Sequence, residues 1–211
     1  MSEAPAKGEW RPLKPSVYNL VQWAVSHGMS ERLYPARERA LCWEGLPDRD
    51  ILEVGCGTGS VDCRGVGVDL DPARARRVQV AGRPAAAADA TRLPFPDGAF
   101  HRVFCEGVFH HMPDDCARGA LAEMLRVCDP AGRVVLMDSV WPRSPFRFFG
   151  WVLRYLDFGR HVRTERQLRE MISNSGAVVL SAERLTYNTI GLEGLIAVLQ
   201  PGRQTARNPR R

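Results

Sequence analysis

From Asp50 onward, short apolar runs alternate with amphipathic stretches, and this alternation predicts strands joined by helical crossovers in a parallel sheet. Ile51 to Val54 reads as a first strand and Gly65 to Val68 as a second. Asp71-Pro72 supplies an N-cap followed by proline at the first helical position, which opens a helix running to Gly82. Ala85 to Ala88 is a small-residue third strand, and Pro94, Pro96 and Asp97-Gly98 break the chain before a fourth, Arg102 to Cys105. Asp114 is placed to cap the next helix, on which Ala117, Ala120, Leu121, Met124 and Leu125 form an apolar stripe. A turn from Asp129 to Gly132 leads into a fifth strand, Arg133 to Met137. Thr164 and Gln167 make a capping box for a helix carrying Leu168, Met171 and Ile172, with Gly176 placed to end it. Val178 to Leu180 is a sixth strand, and Ile190 to Leu199 contains a seventh.

Upstream the pattern differs. Met1 to Pro15 reads as a loosely packed lead without the apolar centre of a signal peptide. Val17, Leu20, Val21, Ala24 and Val25 recur at helical spacing up to Gly28, and a second helix is expected from Glu31 to about Trp43. The expected division is a helical cap over residues 1–48, a sheet domain over 49–200 and a basic, flexible tail over 201–211. No run of 18 apolar residues exists, so a cytoplasmic protein is expected.

The candidate chemistry lies at the end of the first strand, in Glu53-Val-Gly55-Cys56-Gly57-Thr58-Gly59. Glycines there let backbone approach a ligand closely, at the carboxyl end of a strand where doubly wound sheets bind ligands. Asp69 ends the second strand, where a carboxylate can accept both ribose hydroxyls of an adenosine. A dinucleotide site needs G-x-G-x-x-G and a full helix facing the pyrophosphate. Here the third glycine comes one residue early, and only Ser60 to Arg64 separate the loop from the second strand. That short crossover argues for an adenosyl ligand without a phosphate. It also leaves part of one sheet face to be covered by the N-terminal helices or by a second subunit, so a homodimer stays open.

Residues 51–142 resemble the class I S-adenosylmethionine (SAM)-dependent methyltransferases of the small-molecule subgroup. The resemblance is carried by Glu53 to Gly59, Gly67-Val-Asp-Leu-Asp-Pro72, Ala88-Asp-Ala-Thr-Arg-Leu-Pro-Phe-Pro96 and Glu106-Gly-Val-Phe-His-His-Met-Pro113. It implies an α/β fold, a doubly wound, mostly parallel seven-stranded sheet of Rossmann-like type, here with a shortened first crossover. It implies SAM as cofactor and S-adenosylhomocysteine as product. Gly55 and Gly57 would pass under the methionyl part, with Cys56, Thr58 and Gly59 in the same loop, and Glu53 would support the ammonium. Asp69 would bind the ribose, Leu70 pack on the adenine, Asp89 accept from its amino group and the Ala90 amide serve the ring. Glu106 and Gly107 would line the methionine end, with His111 nearby. If the acceptor needs a base, His111, His110 and Tyr18 are the candidates.

The acceptor clue is the stretch Trp141 to Arg169, which holds seven of the seventeen aromatics and seven arginines against only Asp157 and Glu165. The resemblance places an acceptor pocket or lid at about 141–163, with Trp141, Phe146, Phe149, Trp151 and Tyr155 as its candidate lining. Such a segment suits a flat or hydrophobic acceptor, or contact with an anionic membrane surface; an ordinary docked helix is the plain alternative. A weaker resemblance to quinone C-methyltransferases, through Tyr18 to Gly28 and Gly191 to Leu199, favours a quinone-like acceptor, with lipid-head and secondary-metabolite methylation close behind.

The net charge of +5 rests almost wholly on arginine and would also suit nucleic acid. However, the position after the fourth strand reads Cys105-Glu-Gly-Val-Phe109, not the Asn/Asp-Pro-Pro-aromatic motif of base methyltransferases. A non-catalytic SAM-binding scaffold is the other rival. The six cysteines form no C-x-x-C pair and have no histidine at zinc spacing, so reduced thiols and no metal are expected.

Overall fold

The computed structural model describes residues 29–42, 44–57, 64–143, 160–186 and 192–202. The elements are α1 (Met29–Leu41), β1 (Ile51–Val54), β2 (Val66–Asp69), α2 (Pro72–Val80), β3 (Ala85–Ala87), β4 (Phe100–Glu106), α3 (Asp114–Val127), β5 (Cys128–Val140), α4 (Glu165–Ser173), β6 (Val178–Thr186) and β7 (Glu193–Gln200). They form one seven-stranded sheet in the order β3-β2-β1-β4-β5-β7-β6. The first five strands in that order are parallel, while β7 runs antiparallel to both neighbours. The chain steps outward from β1 to β3 and then returns to lay β4 on the other side of β1. This reversal opens a crevice above the carboxyl ends of β1 and β4.

Apolar side chains alternate between the two faces. Leu52 and Val54 join Val103, Cys105, Val134 and Leu136 beneath α3 and α4. The α3 stripe of Ala117, Ala120, Leu121 and Met124 is buried there, as are Leu168, Met171 and Ile172 of α4. On the opposite face Ile51, Phe104, Val135, Met137, Ile196 and Val198 pack with Ala36, Ala40 and Leu41 of α1. Thus α1 lies on the face that the short crossover after β1 was expected to leave open. It ends at Cys42, in the left-handed region at φ 44°. The Arg102 guanidinium donates to the carbonyls of Leu41 at 2.8 Å and Cys42 at 3.1 Å, satisfying carbonyls that the helix cannot.

Local signals account for most boundaries. Asp71 accepts from the Ala73 amide with Pro72 in the first turn, and Thr164 and Gln167 form the reciprocal capping box. Three expectations need correction, the first being that β5 runs thirteen residues and takes in the expected turn from Asp129 to Gly132. Asp114 does not cap α3 with its side chain, because its carboxylate is taken by Arg163. β6 runs nine residues instead of three, because an edge strand solvated on its outer side shows no clean apolar pattern. Among the described residues no helix is long and apolar enough to cross a membrane.

Candidate functional site

The backbone turns sharply after β1. Gly55 has φ 79° and Gly57 φ 55°, a region that side chains other than glycine rarely adopt. A Cβ on Gly55 would sit 2.3 Å from Val108 Cγ2, so the bend passes hard against the segment after β4. The amides of Gly55 and Cys56 both donate to the Val68 carbonyl, at 2.8 and 2.9 Å. The Gly57 amide donates to Asp69 Oδ2 at 2.8 Å, and the Asp71 amide to Asp69 Oδ1 at 2.9 Å. The Asp69 carboxylate is therefore aimed into the glycine bend from the tip of β2 and held at both oxygens. Each oxygen keeps lone-pair capacity for another donor. Leu70, the next residue, is 75% exposed, an apolar side chain left in the open beside a buried acid.

Along the same rim, Asp89 Oδ1 accepts from the Thr91 amide and hydroxyl, both at 2.8 Å. These two bonds hold its carboxyl below the usual range. Ala90 beside it is buried. The loop is anchored from α3: the Leu93 amide donates to Glu123, and Arg126 donates to the carbonyls of Leu93 and Phe95.

Two guanidiniums, one buried and one half-buried, hold the acids behind the glycine bend. Arg83 pairs with Glu53 and also donates to the carbonyls of Arg64 and Gly65. Arg37 of α1, almost wholly buried, lies 3.6 Å from Glu106 Oε2 at the end of β4. Burial pushes the Glu106 carboxyl up, with Arg37 pulling the other way and Glu53 adding to the rise. Gly107 follows at φ 67° and donates to the Met137 carbonyl at 2.9 Å.

Beyond Gly107 a short 3₁₀ turn, Phe109–His111, carries both histidines. His110 is buried and its Nδ1 lies 2.6 Å from Asp138 Oδ1 on β5. His111 is exposed, its ring centroid 4.0 Å from that of His110. The turn is tied down by the chain that enters α4. The His161 amide donates to the His110 carbonyl, while the buried Arg163 donates to the carbonyls of Phe109 and Met112 and to Asp114. Trp141 joins the same strap, its Nε1 donating to the Val162 carbonyl at 3.0 Å.

Of the residues singled out from the sequence, Glu53, Gly55, Cys56, Gly57, Asp69, Leu70, Asp89, Ala90, Glu106, Gly107, His110, His111 and Trp141 are gathered along the carboxyl-end rim of the sheet. Tyr18, Thr58, Gly59, Phe146, Phe149, Trp151 and Tyr155 lie outside the described residues. Sequence reasoning missed Asp138, Arg37, Arg83 and Arg163. Among the described residues no group of three His, Cys, Asp or Glu side chains could hold a metal ion.

Residues 52–136 match the family model described as a methyltransferase domain. The chain carries a class I SAM-dependent methyltransferase domain. A demethylmenaquinone methyltransferase of Thermus thermophilus is 34% identical over 155 residues, covering 65% of this chain and 66% of that protein. One from Beutenbergia cavernae is 36% identical over 152 residues, covering 65% of this chain and 60% of that protein. The chain thus spans less than two thirds of the length of these relatives. Geranyl diphosphate C-methyltransferase from Streptomyces coelicolor A3(2), solved with Mg²⁺, geranyl diphosphate and S-adenosyl-L-homocysteine, superposes with a TM-score of 0.61 at 16% identity, covering 80% of this chain and 81% of that one. At that identity the likeness is one of fold.

The methyltransferase domain's cofactor can be tested against the site itself. The bend admits no side chain at Gly55, the acid at Asp69 keeps acceptor capacity, and Leu70 offers an exposed apolar shelf. These residues fit an adenosyl ligand.

Proposed function

We propose that the chain transfers a methyl group from SAM to a small hydrophobic or aromatic acceptor. The observation that carries the reading is the Asp69 carboxylate fastened to the Gly57 amide at the mouth of a bend that has no room for a side chain at Gly55. In this reading Asp69 receives the ribose hydroxyls, Leu70 and Ala90 flank the adenine, and Asp89 accepts from its amino group. Glu106 and Gly107 border the methionyl end, and Glu53 acts behind them through its pair with Arg83. The cofactor, when bound, supplies a methyl group on a positively charged sulfur. What remains for the protein is alignment of the acceptor and exclusion of competing water.

A hydroxyl or acidic C–H on the acceptor must also lose a proton, and His110 suits that task better than His111. Asp138 accepts from Nδ1–H, which leaves Nε2 as the basic nitrogen and fixes the ring's orientation. His111 and Tyr18 stay as secondary candidates. The quinone methyltransferases among the relatives support a quinol-like acceptor, which presents such a hydroxyl. The aromatic segment at 141–163 is the proposed lid over it. Calorimetric titration with SAM and S-adenosylhomocysteine, followed by labelled-SAM incubation with quinols, phenols and lipids, tests the reading. Micromolar binding and transfer to a quinol or phenol are expected; affinity for a nicotinamide or flavin instead would overturn it.

A further inference from the structure

Between α4 and the end of β5 lies an open cleft of about 760 Å³. Trp141, Pro142 and Arg143 form one wall, just past the tip of β5. Arg166 and Arg169 on the outer side of α4 form another, and Arg184 of β6 closes the base. Its volume falls within the range of small-molecule sites, roughly 300–1,000 Å³.

The charge in this cleft is unbalanced by construction. Glu165 takes Arg143 Nη2 and Arg184 Nη1 on one oxygen and Arg169 Nε on the other, each at 2.8 Å. One carboxylate thus faces three guanidiniums. Burial alone would raise the Glu165 carboxyl, but the bonds from Arg169 and Arg184 and the charge of Arg143 outweigh it and hold the group below its ordinary range. Glu193 adds a second partner for Arg184, and Glu170 pairs with Arg166 at 3.2 Å. The tally is four arginines against three glutamates. Arg184 and Glu165 form a nearly buried base, whereas Arg143 and Arg166 reach into the opening with most of their length solvated. A guanidinium has five N–H donors. Arg143 spends Nη2 on Glu165 and Arg166 spends Nε on Glu170, so an incoming anion can take further donors without breaking these pairs. Trp141 and Pro142 supply an apolar wall beside them.

We infer that this cleft binds a small amphiphilic anion, a carboxylate or phosphate on an apolar stem. Trp141 and His110 hang on the same strap, residues 161–163, which links one wall of the cleft to the turn that bears the proposed base. On the acceptor-methylation reading, which this extension assumes, the cleft receives the acidic end of the acceptor. Forked guanidiniums recognise such groups in two-pronged fashion.

The test uses the full chain with S-adenosylhomocysteine present, at constant ionic strength. Octyl phosphate, octanoate, octanol and inorganic phosphate are titrated while tryptophan emission is followed, with Trp141→Phe as the blank. Octyl phosphate and octanoate should saturate a Trp141-dependent signal, and octanol should not. Arg143→Gln combined with Arg166→Gln should weaken octyl phosphate about 10- to 100-fold, the effect of losing charge-assisted hydrogen bonds. The affinity for S-adenosylhomocysteine should stay unchanged in that variant. Equal binding by the double variant, equal binding of octanol, or no saturable signal overturns the inference. A signal seen only with phosphatidylglycerol vesicles, and not with the free amphiphiles, also overturns it in favour of a membrane surface. Failure to bind S-adenosylhomocysteine in the same samples counts against the cofactor reading, and so separates the two.

Discussion

His110 Nδ1 and Asp138 Oδ1 lie 2.6 Å apart, both side chains buried, one on the turn after β4 and the other near the end of β5. The short contact gives the imidazole a fixed orientation and leaves its far nitrogen as the one able to accept a proton. Replacing His110 with Gln should lower the rate of methyl transfer about 10²- to 10⁴-fold, the span usual for losing a positioned base. Asp138→Asn should retain part of the rate, since it keeps the shape but weakens the orientation. In both variants S-adenosylhomocysteine affinity should stay within about twofold of the parent, since neither side chain belongs to the proposed cofactor grip. A His110→Gln enzyme with the parent's rate and pH profile would remove the histidine from the mechanism.

Asp69 has two jobs in the proposed site, bracing the Gly57 amide and receiving ribose hydroxyls. Asp69→Ala should weaken SAM about 10- to 100-fold, the equivalent of losing hydrogen bonds to a charged group. Its far-ultraviolet circular dichroism should match the parent, because the carboxylate stands at the rim of the sheet. Unchanged affinity by calorimetry would refute the ribose role.

Gly55→Ala meets two separate penalties, the left-handed φ of 79° and the contact with Val108. The backbone part alone costs about 1–2 kcal/mol. Adding Val108→Ala should remove the steric part and leave the backbone part, so the double variant should melt above Gly55→Ala and below Val108→Ala. Simple additivity of the two melting shifts would show that the side chains do not press on each other.

The buried thiols predict how stability varies with alkaline pH. Burial pushes Cys56 from an ordinary 9.0 up to about 11, helped by Glu53 and Asp69, and burial pushes Cys128 up to about 12. The folded protein thus holds these protons more tightly than the unfolded chain. Their contribution is complete below pH 9, falls as pH rises above it, and is lost by about pH 11 for Cys56 and about pH 12 for Cys128. Melting temperatures should fall over that window, and less steeply in a Cys56→Ala, Cys128→Ala variant. A thiol reagent at pH 8 should label the exposed Cys42 and Cys116 first and Cys56, Cys105 and Cys128 only on unfolding.

Much of this site could be read from the linear chain, and the reasons are specific. β1 is a short, mostly apolar run followed by Gly55, β2 ends in Asp69, and Asp71-Pro72 and Thr164 with Gln167 mark helix starts by local hydrogen bonding alone. Asp138 escaped notice because it sits in the apolar run of β5, where no spacing links it to a histidine 28 positions earlier. Arg37, Arg83 and Arg163 look like surface charges in a chain rich in arginine. Only tertiary packing gives them buried partners. Nothing local in the sequence distinguishes the adjacent His110 and His111. The turn decides which of the two faces inward.

Arg163 reaches back 54 positions to close the loop that bears the dyad histidine. During synthesis the glycine bend, Asp69 and the strands around them emerge well before that clamp is made. The grip on the cofactor and the orientation of the base are therefore built from different stretches of the chain, and the first is complete in sequence before the second begins.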